Sequence, residues 1–299
     1  RVEVNAHGRV IRELSREPAT PGQDIYLTID RELQHFVSER LGTESAACVV
    51  MDVQNGDVLA LESSPGYDPN LFNVGISNAQ WHDLTTNDHS PLMNKAMSGV
   101  YPPGSTFKTA VAAAAVDAGI AVPGYTVFCS GSLTLGNHDF HCWKRGGHGT
   151  LDLRGGIKNS CDVFFYETAR RLGIDRIETA AHALGLGQVT GIELPGERGG
   201  SIPGREWKQR RFGVPWQQGE TLVTAIGQGY VLATPLQLCT MTARIASGKA
   251  VSPRIVHSVG AQRQPIAEAP PLAFSQDALA RVRDGMDAVA LLADNLPDV

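Results

Sequence analysis

Between Tyr101 and Ala110 the chain reads YPPGSTFKTA, with the apolar run VAAAAV directly behind it. Ser105 and Lys108 stand three apart at the start of a predicted helix, so their side chains share a face and can meet. A bare S-x-x-K is common, and in most chains it is an N-cap serine followed by a surface lysine. Two features favour chemistry here. A cation in the first helical turn opposes the positive end of the helix dipole, so helix stability does not account for Lys108. An amine held there, partly desolvated by Phe107 and the alanine face, is expected to have a lowered pKa, because both effects disfavour the ammonium form. A neutral lysine can take the proton of a neighbouring hydroxyl, which makes Lys108 a candidate general base and Ser105 a candidate nucleophile.

Further along, Asn159-Ser160-Cys161-Asp162 opens another amphipathic helix. Alone, Ser160 or Asp162 is an ordinary helix cap. Downstream of an S-x-x-K, the same Ser-x-Asp offers a hydroxyl and a polar side chain, two apart, that can line one wall of a cleft.

The five cysteines, Cys48, Cys129, Cys142, Cys161 and Cys239, are too few and too unevenly spaced for a disulfide scaffold. Cys129, Cys142, His148 and Cys161 follow the pattern C-x12-C-x5-H-x12-C, with His138, Asp139 and His141 as alternative ligands. Three thiolates and one imidazole form a tetrahedral zinc set, and a segment with few core residues gains order from one. The spacing is equally compatible with a disulfide between two of the cysteines and a third, buried thiol. Cys48, in a predicted strand, and Cys239, in a predicted helix, read as small core residues.

The elements that must position these groups follow from pattern. QDIYLTI alternates as a strand, and Leu33, Phe36, Val37 and Leu41 repeat at helical spacing before Gly42. AACVVMDVQNGDVLALESS predicts a hairpin through Asn55-Gly56. A loop rich in Pro, Asn and Ser leads to the alanine helix, predicted from Ser105 to Ala118. The stretch FCSGSLTLGNHDFHCWKRGGHGT reads as polar and irregular, followed by two glycine-ended helices, CDVFFYETARRLG and DRIETAAHALG. PGERGGSIPGREWKQRRFGVPWQQGE reads as a long loop whose KQRR run is a solvated face, with contact to a polyanionic surface as the alternative. Two helices broken between Gly227 and Pro235, a strand at PRIVHSV, a loop and a helix at SQDALARVRDGMDAVALL complete the chain. Without regular βαβ alternation, this order predicts an α/β or α+β fold with an antiparallel sheet flanked by helices.

In bulk, 299 residues with 42% hydrophobic and 19% charged side chains suit an ordinary globular composition. A net charge of -5 gives no electrostatic case for nucleic acid as a partner. No apolar stretch approaches the roughly 20 residues of a membrane helix.

YPPGSTFK, the later SCD before an aromatic helix, and WQQGETLVTAIGQGYVLATPLQL together resemble the transpeptidase domain of class B penicillin-binding proteins, in particular the elongation-type penicillin-binding protein 2 group. The resemblance runs from about Arg1 to Val289. It implies the penicillin-binding transpeptidase fold, shared with serine β-lactamases, with a helical subdomain and the nucleophile between sheet and helices. It also implies a serine acyltransferase. Ser105 would attack the penultimate D-alanine carbonyl of a peptidoglycan stem peptide, expel the terminal D-alanine and pass the acyl group to an amine on a neighbouring stem. Lys108 would be the base, Ser160 would relay a proton to the leaving amine, and Asp162 would orient Lys108 and the substrate amide. β-Lactam antibiotics would acylate the same serine. The group further implies a metal site using the histidine of GGHG, here His148, and the residue inside the second motif, here Cys161; with Cys129 and Cys142 this gives a zinc expectation. A polytopic glycan polymerase and other elongation-complex proteins are the implied partners. A periplasmic location follows, anchored to the bacterial inner membrane by a segment upstream of Arg1.

Two departures stand out. The usual third residue of the second motif is Asn, whereas Asp162 can form an ion pair with Lys108 and raise its pKa, against the base role. The third motif, Lys-Thr/Ser-Gly, is absent: after Ser160 the lysines are Lys208 and Lys249, and neither is followed by Thr-Gly or Ser-Gly. That strand would supply an oxyanion-hole amide and dock the substrate carboxylate. Residues 1–22, ending in EPATPG, are therefore expected to be the end of a preceding domain and its linker, and residues 23–299 a transpeptidase domain incomplete at its C terminus. A serine β-lactamase and a non-catalytic β-lactam-sensing or scaffold relative are the alternatives; the first lacks the E-x-x-L-N context of class A enzymes, and the second draws on the missing motif.

Overall fold

A computed structural model describes residues 1–16 and 18–293. Glu17, at the head of the expected linker, and residues 294–299, at the end of the expected domain, lie outside the described residues. The chain forms two units. The first takes in Arg1–Leu27 and Val256–Pro265. It contains a hairpin of Val2–Val4 with Val10–Glu13 and an antiparallel three-stranded sheet, in which Val256–Val259 pairs with both Ile25–Leu27 and Gln262–Arg263. Both strands expected from QDIYLTI and PRIVHSV are present.

The second unit spans Thr28–Ile255 and resumes at Ile266. Its first helix, Arg31–Leu41, is capped by Asp30, whose side chain accepts from the amides of Glu32 and Leu33. Gly42 ends it. Val37 is buried as its spacing predicts, but Phe36 is exposed. The predicted hairpin pairs Ala46–Met51 with Val58–Ser64. Gly56 in its turn has φ +81°, and a Cβ there would collide with the Ser252 carbonyl oxygen, so only glycine fits.

The core is built around the alanine helix, Lys108–Asp117, which buries residues from Lys108 through Ala115. Small side chains let Asp162–Leu172, Ile174–Ala183 and Gln276–Ala293 all pack against one ten-residue helix. Phe164 and Phe165 fill the resulting space, both fully buried. Gly173 ends the first of these helices, as expected. The break between Gly227 and Pro235 is also observed: Gln218–Ala225 precedes it and Pro235–Ser247 follows, with Thr234 and Gln237 forming a capping box.

Three segments read as loops contain regular structure. The Pro, Asn and Ser-rich stretch holds the helices Asn70–Val74 and Asn78–Thr86. The supposedly irregular polar segment holds two antiparallel pairs, Val127–Cys129 with Gly149–Leu151 and Ser132–Leu135 with His138–His141. Strands of three and four residues are too short for alternation to register, although Gly136-Asn137 is a two-residue hairpin turn.

The third segment contains the helix Arg205–Phe212, and its KQRR run is not a uniformly solvated face. Lys208 is buried, and its Nζ donates to Glu220 Oε2 at 2.6 Å, while Arg210 points into solvent with only a loose contact to Glu206. The glycines and proline around this helix masked a turn-length period. Replacing Lys208 by Met is expected to cost about 2–3 kcal/mol by leaving the Glu220 carboxylate without its cation and only the Gln217 amide as donor, whereas Arg210→Ala should stay within about 0.5 kcal/mol. Denaturant unfolding of both variants checks this; equal losses would contradict the assignment.

Candidate active site

The nucleophile turn is set from behind. A 3-10 turn at Gly104–Phe107 leads into the alanine helix. The Gly104 amide donates to the Gly227 carbonyl at 3.0 Å. Gly227 has φ +69°, and a Cβ on it would collide with the Gly104 carbonyl oxygen, so the two backbones meet because Gly227 lacks a side chain. Tyr101 and Ala233 exchange both backbone hydrogen bonds at 2.9 Å, which ties the GQGY segment to the approach of Ser105. The result leaves Ser105 exposed and Lys108 only 2% exposed.

Lys108 Nζ lies 3.2 Å from Ser105 Oγ, 2.9 Å from the Ser160 carbonyl oxygen, 3.0 Å from Ser160 Oγ and 2.7 Å from Asp162 Oδ1. Ser160 Oγ is 2.7 Å from Ser105 Oγ. The four residues picked out from the two motifs thus form one constellation. The carbonyl and the carboxylate can only accept, so they commit two N–H groups of Lys108. The remaining tetrahedral position faces the two hydroxyls, as an N–H in the ammonium form and as a lone pair in the amine. A proton leaving Ser105 therefore has a direct route to Nζ and a second one through Ser160. The ion pair anticipated from the Asp in the second motif is present, between side chains that are 3% and 14% exposed.

Ser160 reaches this position with φ +47°, in the left-handed region that a serine seldom occupies. Backbone strain of this kind, of order 1 kcal/mol or more, persists only where neighbours fix it. Two of those neighbours come from Trp143, which the motif reading did not pick out. Its backbone N–H donates to Asp162 Oδ2 at 3.0 Å, and its indole N–H lies 3.1 Å from the Asn159 carbonyl and 3.2 Å from that of Ser160. The available sequence signal was its position directly after Cys142.

On the other side of the same loop, the ligand atoms of Cys129, Cys142, His148 and Cys161 all lie within 4.8 Å of one another. His148 Nδ1 is 3.7 Å from Cys129 Sγ and 3.5 Å from Cys142 Sγ. A tetrahedral zinc with ordinary bond lengths separates its sulfur and nitrogen ligands by about 3.5 Å, so the spacing suits the ion. All five cysteines are free. Burial, with Lys144 and Lys108 adding and Asp162 opposing, holds the His148 imidazole below its ordinary pKa, hence in the neutral form that can ligate. Burial likewise pushes the Cys161 thiol well up, reinforced by Cys129 and Cys142 and opposed by the Phe164 amide. His148 Nε2 is buried without a hydrogen-bond partner among the described residues, and its ring meets that of Trp143 edge-on, 5.1 Å away. His138, Asp139 and His141 lie on the neighbouring hairpin, outside this group. Cys48 and Cys239 are half-buried rather than core residues.

Asp162 accepts on both oxygens, one from Lys108 and one from Trp143. An Asn offers one acceptor oxygen and would turn its amide toward the other donor. Asp162→Asn is therefore expected to loosen the loop and to slow acylation of Ser105 by a labelled β-lactam about tenfold or more. An unchanged rate would show that the second oxygen contributes nothing.

The model of the penicillin-binding protein transpeptidase domain matches residues 46–294. The Escherichia coli K12 peptidoglycan D,D-transpeptidase MrdA is 46% identical over 239 residues, covering 79% of this chain and 38% of the relative. The chain thus spans about two-fifths of the length of such curated relatives. Among solved structures, Pseudomonas aeruginosa PBP2 in complex with WCK 5153 superimposes with a TM-score of 0.85 at 39% identity, over 89% of this chain and 59% of that one. The Helicobacter pylori PBP2 complex with MreC gives a TM-score of 0.83 at 33% identity, over 96% of this chain and 53% of that one. The mixed fold expected from the sequence is therefore the observed one. On its hydroxyl and amine constellation, the family match and the identity of these relatives, the chain belongs to the penicillin-binding protein transpeptidase-domain family.

Proposed function

We propose that this chain carries the acylating centre of a peptidoglycan D,D-transpeptidase. The observation that carries the reading is the mutual contact of Ser105 Oγ, Lys108 Nζ and Ser160 Oγ, all within 3.2 Å of one another. Ser105 Oγ attacks the penultimate D-alanine carbonyl of a stem peptide while its proton passes to Nζ, directly or through Ser160. As the tetrahedral intermediate collapses, the carbon–nitrogen bond to the terminal D-alanine breaks and its nitrogen takes up the proton by way of Ser160. The amine of a second stem then attacks the ester, loses its proton along the same path and releases Ser105. Asp162 keeps Nζ aimed at the hydroxyls throughout. A β-lactam enters the first step in place of the stem peptide.

Labelled penicillin is expected to leave one persistent adduct, mapped to Ser105 and abolished by Ser105→Ala. Loss of Lys108 or Ser160 should slow its formation by about a hundredfold or more, in the range of a lost proton-transfer group. Rapid hydrolysis of the label would instead favour the serine β-lactamase alternative. Acylation without cross-linking of stem peptides in the intact protein would favour the non-catalytic sensor or scaffold.

Cys129, Cys142, His148 and Cys161 are proposed to hold a structural zinc ion, supported by the donor set and the ligand spacing. When bound, it would tie the segment before Ser160 to Cys161, next to the proton path. One zinc per chain is expected by elemental analysis; removing it with a chelator should lower the unfolding temperature by several degrees. A chain purified without metal and carrying a disulfide among these cysteines would overturn the assignment. A periplasmic position at the inner membrane is part of the same proposal. So are a glycan polymerase and an MreC-like elongation protein as partners, the second supported by the complex of the Helicobacter pylori relative with MreC.

A further inference from the structure

Beside the nucleophile turn lies a second concavity of about 550 Å³, separate from the constellation above. Its walls include Val100 and Gly229, from the same two segments that the Tyr101 and Ala233 hydrogen bonds hold against the approach to Ser105. Trp207, Phe212 and Tyr230 form a triangle of rings with centroids 5.3–5.7 Å apart. Phe212 is 48% and Tyr230 38% exposed, so much of this aromatic surface faces solvent. Arg198 and Arg211 also line the cavity, and neither guanidinium has a carboxylate or hydrogen-bond partner among the described residues. Ser201 lines it as well, with a buried hydroxyl that has no hydrogen-bond partner there.

Each feature needs an occupant of particular chemistry. Clustered, exposed aromatic rings offer flat apolar faces for stacking. Two unpaired guanidiniums offer forked donors matched to carboxylates, and they would be held apart by mutual repulsion without an anion. The fold gives the site a firm base: the Lys208–Glu220 ion pair anchors the helix that carries Trp207, Arg211 and Phe212.

We infer that this cavity is a subsite for peptidoglycan itself, taking an N-acetylated amino sugar against the aromatic rings and a carboxylate of its attached peptide on Arg198 and Arg211. The inference rests on the reading of peptidoglycan as the substrate. It adds a second grip on the strand, outside the groove where acyl transfer occurs.

The test uses the intact protein with Ser105 already acylated by penicillin, so that the catalytic groove is blocked. If penicillin does not acylate, the catalytic reading fails, and the subsite is measured instead in Ser105→Ala. The probe is a soluble disaccharide-pentapeptide, titrated calorimetrically. Binding should persist in the acylated protein and weaken at least about tenfold in R198A/R211A, the loss expected for charge-assisted contacts. Amidating the probe's carboxylates should weaken binding similarly in the unaltered protein, which decides the matter even if the double variant fails to fold. Three outcomes overturn the inference: no binding once Ser105 is acylated, equal binding of the amidated probe, or equal binding of an acidic peptide without sugars. The last would mark the site as one for acidic polypeptides.

Discussion

One amine holds the site together. Lys108 Nζ sits among oxygens from Ser105, Ser160 and Asp162, and so joins the alanine helix to the 159–162 loop. Burial at 2% exposure makes that contact matter, because a buried cationic group without such partners would be strongly destabilising. The same burial points the amine at the exposed Ser105 hydroxyl. Stability and chemistry thus make the same demand on one residue.

The loop is gripped on both faces. Ser160 and Asp162 face Lys108, whereas Cys161, between them, joins the three-cysteine and histidine group. Cys161 also begins the helix Asp162–Leu172, its sulfur accepting from the Phe164 amide. Trp143 spans the two faces, with hydrogen bonds to the loop and its ring against His148. The left-handed Ser160 is where these restraints converge. Order in the cysteine group and order around Lys108 are therefore coupled by one residue's backbone.

Much of this was legible in the chain. Residue type and spacing carried Ser105 with Lys108, and Ser160 with Asp162, because reacting groups must be specific side chains. The hairpin at Asn55-Gly56 and the glycine-ended helices followed from local backbone rules. Trp143 was not legible, since its part is played by a backbone N–H and by an indole reaching across the fold. Nor was Lys208, whose burial depends on Glu220 arriving from another helix. The short strands between Val127 and Leu151 escaped because each is fixed by its partner rather than by its own pattern. The aromatic triangle escaped for a similar reason: Tyr230 comes from a segment remote from Trp207 and Phe212 in sequence.

The central claim is that the amine and the second serine act as one proton-transfer unit on the first. A double-mutant cycle on the acylation rate tests it most directly, using Lys108→Ala, Ser160→Ala and the two combined. If they share one path, the double variant should be little slower than Lys108→Ala alone. Losses that multiply, as for independent groups, would contradict the account.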